Sequence, residues 1–200
     1  MKGVEILYED DDCLVINKPA GLPSQGGRGA EVNLDAILAN SCKPRPLLVH
    51  RLDKDTSGVI LTAKTPAAAS YFSRIIAGKQ ARKLYLAFCR FNADALRNAS
   101  GTISGSLEKN GVLKPAVTHY RRLAAVKDYA LFQLELGTGR THQIRRHLAQ
   151  NGSPILGDGK YGDFSLNKRF RAESGVKQML LHAARLKFPL QNGNMLEISA

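Results

Sequence analysis

The chain has 200 residues, 44% hydrophobic and 23% charged, a composition that excludes a disordered polymer and bounds it to one domain or two small lobes sharing a core. Lys and Arg number 29 against 17 Asp and Glu, a net charge of +12, and the second hundred residues carry more of the excess (15 basic, 7 acidic) than the first (14 and 10). No apolar run approaches the roughly 18 residues of a membrane span, Met1–Asp12 reads as neither a signal nor a transit peptide, and Cys13, Cys42 and Cys89 are too few and too scattered for a disulfide framework or a metal knuckle.

In chain order, Val4–Glu9 and Cys13–Ile16 read as two short strands around the acidic turn Asp10-Asp11-Asp12. Lys18-Pro19-Ala20-Gly21-Leu22-Pro23 ends the second, and Gly26–Gly29 reads as a flexible basic loop. Asn33 caps a short helix over Leu34–Ala39. Strands follow at Leu47–Val49 and Val59–Ala63, then a helix opened by Thr65-Pro66 and running to about Gly78. Ala81–Phe91 alternates as a strand, with Lys83, Tyr85 and Ala87 on one face.

Segments near Gly101–Leu107, Ala116–Ala124 and Ala130–Leu136 read as neighbouring antiparallel strands. After the Gly137-Thr138-Gly139 turn, a helix runs to about Gln150 and stops at Asn151-Gly152. Gly157–Gly162 is a glycine-rich loop, Asp163–Gln178 is polar and basic, and Met179–Phe188 and Met195–Ile198 finish as strands. Strands with two or three helices make the class α+β, with a largely antiparallel mixed sheet flanked by helices and loops.

The charge excess points to a polyanionic partner, because each phosphate contact releases counterions; a basic surface kept for solubility is the plainer alternative. Two polar clusters stand out. His50-Arg51-Leu52-Asp53-Lys54-Asp55-Thr56-Ser57-Gly58 lies between two strands, where a rigid sheet can hold a catalytic loop. Asp53 is its candidate nucleophile or base, and a hairpin Asp-turn is the simpler reading. The second cluster is Thr138–His147. On a helix, Gln143, Arg146 and His147 share one side, while His142 and Arg145 share another, so an arginine there can pair with a buried carboxylate.

Metal and nucleotide chemistry find little support. His142 and His147 are five apart rather than four, the basic surroundings of Asp53 and Asp55 disfavour a two-metal nuclease, and Gly157-Asp158-Gly159-Lys160 is no P-loop. No cofactor or metal is expected.

These residues resemble the RluA-type RNA pseudouridine synthase family. His50-Arg51-Leu52-Asp53 with Thr56-Ser57-Gly58 is similar to its HRLDxxTSG signature, Lys18-Pro19-Ala20-Gly21 to its upstream KPxG motif, and Lys83-x-Tyr85-x-Ala87 to its KxYxA strand. Gly139–Arg145 followed by His147, Gly152, Pro154-Ile155, Gly157-Asp158 and Tyr161-Gly162 is similar to its third block, and Leu181-His182-Ala183 to its last. The resemblance implies a pseudouridine-synthase-like core, with the active-site cleft across the sheet, that isomerises uridine in structured RNA.

By the same resemblance, Asp53 is the nucleophile, Arg145 the arginine that pairs with it, and Tyr85 the ring stacked on uracil and a proton acceptor. Leu181 lines the base pocket, and Arg51 fills the stack when the uridine flips out. His50 and Arg140 are further candidate substrate-binding residues, and Lys168, Arg169, Arg171 and Lys177 form a basic docking stretch that tilts the target toward large-subunit ribosomal RNA. A tRNA target and a non-catalytic RNA-binding protein on the same fold are the alternatives. The expected picture is one catalytic domain over residues 1–200 without an S4-like domain ahead of it, RNA as partner, no membrane, a monomer, and a reducing cytoplasm.

Overall fold

The computed structural model describes residues 3–27 and 32–200. The expected loop at Gly26–Gly29 lies partly outside them. The chain divides into two compact units, one of residues up to Lys83 together with Ala183–Ala200, the other Leu84–His182. The fold is α+β, as expected.

The first unit holds β1 (Glu5–Glu9), β2 (Cys13–Lys18), α1 (Leu34–Ser41), β3 (Leu47–Leu48), β4 (Ser57–Ala63) and α2 (Pro66–Ala77). Asp10 makes the expected acidic turn: its Oδ1 accepts the N–H groups of Asp12 and Cys13 at 2.9 and 2.7 Å, an Asx geometry. The helix caps are the ones the sequence offered. Asn33 accepts from Ala36 N–H and Thr65 from Ala68 N–H, at 3.0 and 3.1 Å, each satisfying a donor the first helical turn leaves open. β2 pairs antiparallel with β1 and with β4, placing Cys13 opposite Ala63 and Lys18 opposite Gly58.

Alternation along β2 and β4 sends Cys13, Val15, Val59, Leu61 and Ala63 into a core completed by Ala68, Phe72 and Ile75 of α2 and by Leu186 and Phe188. The intervening Leu14, Ile16 and Ile60 are buried as well. Both faces of these strands are therefore covered, which explains their near-continuous apolar runs. The loop between β3 and β4 that holds the first polar cluster thus leads into a strand buried on both faces.

The second unit contains most of β5 (Arg82–Arg90), then β6 (Ser100–Lys109), β7 (Val112–Val126), β8 (Tyr129–Leu136), α3 (Gln143–Gln150) and α4 (Phe164–Ser174). β5 pairs with β8, β8 with β7 and β7 with β6, all antiparallel. The β6–β7 hairpin closes on Asn110-Gly111, both at positive φ, the two-residue turn whose twist matches its strands. The chain re-enters the first unit along β9 (Leu181–Pro189), which pairs antiparallel with β10 (Met195–Ser199).

The structure corrects one reading. Residues 163–178, read only as a polar basic stretch, contain α4, with Asp163 Oδ1 accepting from Leu166 N–H at 2.9 Å and Gly175 closing it at φ 72°. Its apolar residues are too sparse for a strong helical period, since only Leu166 is buried.

Gly58 opens the framework for a close approach. It sits at φ 108°, and a Cβ there would collide with the backbone of Ala183. Gly58→Ala is expected to cost at least ~1–3 kcal/mol, seen as a lower urea midpoint. Gly105→Ala, at a position with open space, should change the midpoint little; equal midpoints for the two variants would contradict the packing described.

Candidate active site

In the first unit, the loop 50–56 is held from below by an ammonium. Lys18, at the end of β2, is fully buried, and its Nζ donates to the carbonyls of Pro19, Leu22 and Lys54 at 2.9, 2.8 and 3.0 Å. Three donors meet three acceptors. Burial lowers its pKa to about 8, while the charges of Asp55 and Asp53 act in the opposite sense, so the cation lies within electrostatic reach of both carboxylates.

Ser24 adds a second clamp. Its Oγ donates to Leu52 C=O at 2.8 Å and accepts from Leu52 N–H at 3.1 Å. Gly21 N–H donates to Lys54 C=O, and Thr56 N–H to Asp53 C=O. Leu52 and Thr56 are buried, Asp53 is half-buried and Arg51 is exposed. The backbone on both sides of Asp53 is therefore fixed from within, and the exposed guanidinium of Arg51 stands two residues away.

His50, expected among the substrate contacts, takes a backbone partner: its Nε2 accepts from Leu61 N–H at 3.0 Å. The ring proton then belongs on Nδ1, which is buried and has the backbone of Arg51 as its neighbour but no well-formed hydrogen bond among the described residues. Burial first, and the charge of Lys83 second, keep the imidazole well below its ordinary pKa and neutral.

In the second unit, α3 is polar on two sides, divided as the sequence spacing predicts. Toward β6 and β7, buried Gln143 donates to Val117 C=O and Thr118 Oγ1 at 2.8 and 2.9 Å and accepts from Thr138 Oγ1 and Arg140 N–H. His147 Nδ1 lies 2.9 Å from Thr118 Oγ1, and Arg146 donates to Glu108 C=O at 2.8 Å. Arg140 is exposed and donates through Nε to Pro115 C=O.

Toward the glycine-rich loop, Arg145 and Asp158 form a side-on pair. Nε and Nη2 of Arg145 each reach one carboxylate oxygen at 2.8 Å, and both side chains are buried. Asp158 Oδ1 also accepts the N–H groups of Lys160 and Tyr161 at 2.8 and 3.0 Å. Burial opposes its ionisation, but the hydrogen bonds from Arg145, Tyr161 and Lys160 outweigh it and hold the carboxyl below its ordinary value.

The Arg145 guanidinium lies 5.2 Å from the Tyr161 ring centroid, and Tyr161 Oη is 3.0 Å from Nδ1 of His142. His142 adopts φ 52° at the head of α3, a left-handed conformation uncommon outside glycine and often associated with functional segments. Tyr85 on β5 and Leu181 at the start of β9 are both buried, while Lys168, Arg169, Arg171 and Lys177 are exposed on and just beyond α4.

Residues 12–150 match the sequence model of the family described as RNA pseudouridylate synthase. The chain belongs to this family. It is 37% identical over 98% of its length to ribosomal large subunit pseudouridine synthase C of Vibrio parahaemolyticus, and 36% identical over 92% to ribosomal large subunit pseudouridine synthase D of Xylella fastidiosa. It spans less than two thirds of these relatives, 64% and 61% of their respective lengths. Among solved structures it resembles human RNA pseudouridylate synthase domain containing 4, with a TM-score of 0.81, 26% identity, and coverage of 98% of this chain and 87% of that one.

Two features of this family member were not assigned by sequence reasoning. Asp158 falls within a motif that does not itself name a partner for it, although a lone carboxylate in an arginine-rich block is a usable signal. Lys18 is legible as the end of a strand and as part of the KPxG resemblance, but its inward-facing ammonium is not, although a lysine closing an apolar strand before Pro-Ala-Gly is a candidate for such a turn. Among the described residues, no group of three His, Cys, Asp or Glu is placed to hold a metal ion, and no helix is long and apolar enough to cross a membrane.

The Arg145–Asp158 pair sets a pH dependence. A carboxyl whose folded pKa is depressed stabilises the fold above its unfolded value, about 3.9, and loses that contribution as pH falls through the folded value. Asp158→Asn and Arg145→Met should each cost about 3–5 kcal/mol at pH 7, whereas Arg146→Met should cost little. In urea melts, the gap between Asp158→Asn and the parent should narrow below about pH 4; a gap independent of pH would contradict the assignment.

Proposed function

We propose that this chain isomerises specific uridines to pseudouridine in structured RNA, with large-subunit ribosomal RNA as its target, as the names of its relatives suggest. The observation that carries the proposal is the loop 50–56. The carboxylate of Asp53 stands on a backbone clamped by Lys18 and Ser24, in a chain whose signature matches the family around that residue. Preorganisation of this kind removes reorientation from the reacting step.

The isomerisation is balanced without a co-substrate. The N1–C1′ glycosidic bond breaks, the uracil turns, C5 bonds to C1′, the C5 proton leaves to a base, and N1 takes up a proton, so no proton is gained or lost overall. Asp53 works at the glycosidic carbon. The family resemblance gives Tyr85 the role of stacking on the uracil and accepting the proton, and Arg145 that of the catalytic arginine, whose orientation Asp158 fixes in this chain. Leu181 contributes apolar surface to the base pocket.

Arg51, exposed at the head of the loop, takes the place of the flipped uridine in the stack, offsetting an unstacking cost of a few kcal/mol. Lys168, Arg169, Arg171 and Lys177 supply non-specific phosphate attraction. The setting is a cytoplasm in which the chain works as a monomer.

The decisive experiment is tritium release from RNA carrying C5-labelled uridine. Asp53→Asn is expected to abolish release while RNA affinity stays within a few-fold, since affinity is spread over many phosphate contacts. Release above background by the purified, folded variant would overturn the role of Asp53. RNA cleavage that EDTA suppresses would replace isomerisation with metal-dependent hydrolysis.

A further inference from the structure

Among the described residues, Lys83 carries a charge with no acceptor or carboxylate set against it. It lies on β5 two residues before Tyr85, so both side chains project from the same face of the strand. The residue is only partly exposed, and among the described residues it makes no hydrogen bond and no ion pair. Lys18, Arg145, Arg146 and Arg140 differ in having acceptors: three carbonyls, the Asp158 carboxylate, the Glu108 carbonyl and the Pro115 carbonyl respectively, while Arg51 and Lys54 are exposed to water.

The charge interaction of Lys83 among the described residues is with a neutral ring. His50 is within electrostatic reach, but its Nε2 is occupied by Leu61 N–H and its ring is neutral. Burial, with no carboxylate opposing it, brings the Lys83 ammonium down to about 8. A half-desolvated cation without a partner weakens the fold, and cations in this condition gather where a ligand brings the opposite charge.

We propose that Lys83 binds a phosphodiester oxygen of the RNA strand that carries the target uridine, acting as a fixed anchor beside Tyr85. The inference rests on the isomerase reading above. A phosphate fits better than a uracil carbonyl because a full negative charge compensates a poorly hydrated ammonium best. No bond is made or broken at Lys83; it holds the strand.

The test uses the whole chain and a stem-loop RNA labelled at C5 of uridine, with parent, Lys83→Met and Lys83→Arg compared across a salt series. Lys83→Met should raise KM about 10-fold or more, leave kcat nearly unchanged, and flatten the log–log salt dependence of binding by roughly 0.7–0.9. Its melting temperature should hold or rise, because a desolvated charge has been removed. Lys83→Arg should restore most of the affinity and the salt slope.

Unchanged KM and salt slope in Lys83→Met would overturn the proposal. So would a kcat loss with an altered basic limb of the pH–rate profile that Lys83→Arg fails to rescue, which would make the lysine a proton-transfer group. A lowered melting temperature with unchanged salt slope would make it a packing residue. Absence of tritium release by the parent would refute the isomerase reading instead, while RNA binding by parent and Lys83→Met, measured directly, would still decide the phosphate contact.

Discussion

A buried ammonium organises the first unit. Lys18 spends all three of its donors on carbonyls from the turn after β2 and from the loop that carries Asp53. Removing it would leave those acceptors unsatisfied around a buried position, at about 1–3 kcal/mol for each. Its charge lies beneath a segment holding two carboxylates, Asp53 and Asp55, whose charges both act on it. One lysine thus fixes the backbone and biases the local potential, and the apolar ladder of β2 and β4 gives it a rigid base.

The second unit solves a related problem with different chemistry. The α3 helix buries Gln143, Arg145 and His147, residues that belong inside only when their polar atoms find partners. Gln143 finds four, split between β7 and the turn at residues 138–140. Arg145 finds the carboxylate of a loop whose own N–H groups converge on the same oxygen. The loop is further clasped by Asn167, which donates to Asp158 C=O and accepts from Gly157 N–H, so α4 helps to position the partner of Arg145.

What could be read from the sequence divides along physical lines. Elements with a local signature were legible: Asn33 and Thr65-Pro66 announced α1 and α2, and the two polar sides of α3 followed from residue spacing. The strands of the β6–β7 hairpin were expected, but its Asn110-Gly111 turn was not. α4 was missed because its buried apolar surface is slight, although Asp163 and Gly175 marked both ends. Loop residues 50–56 were legible as a motif, but the means of holding them was not. Lys18 and Ser24 lie 36 and 28 residues from their partners Lys54 and Leu52, and such contacts arise only when the chain folds. The same is true of Lys83, whose partly buried setting comes from its surroundings and leaves no trace in the neighbouring residues.

The central claim is that Lys18 and its carbonyls preorganise the loop around Asp53. Amide hydrogen exchange in Lys18→Met tests it most directly. The account predicts faster exchange at Gly21, Leu52 and Thr56, whose N–H groups bond within or onto this loop, while the β2–β4 ladder keeps its protection. Unchanged protection at those three amides, with the ladder intact, would contradict it.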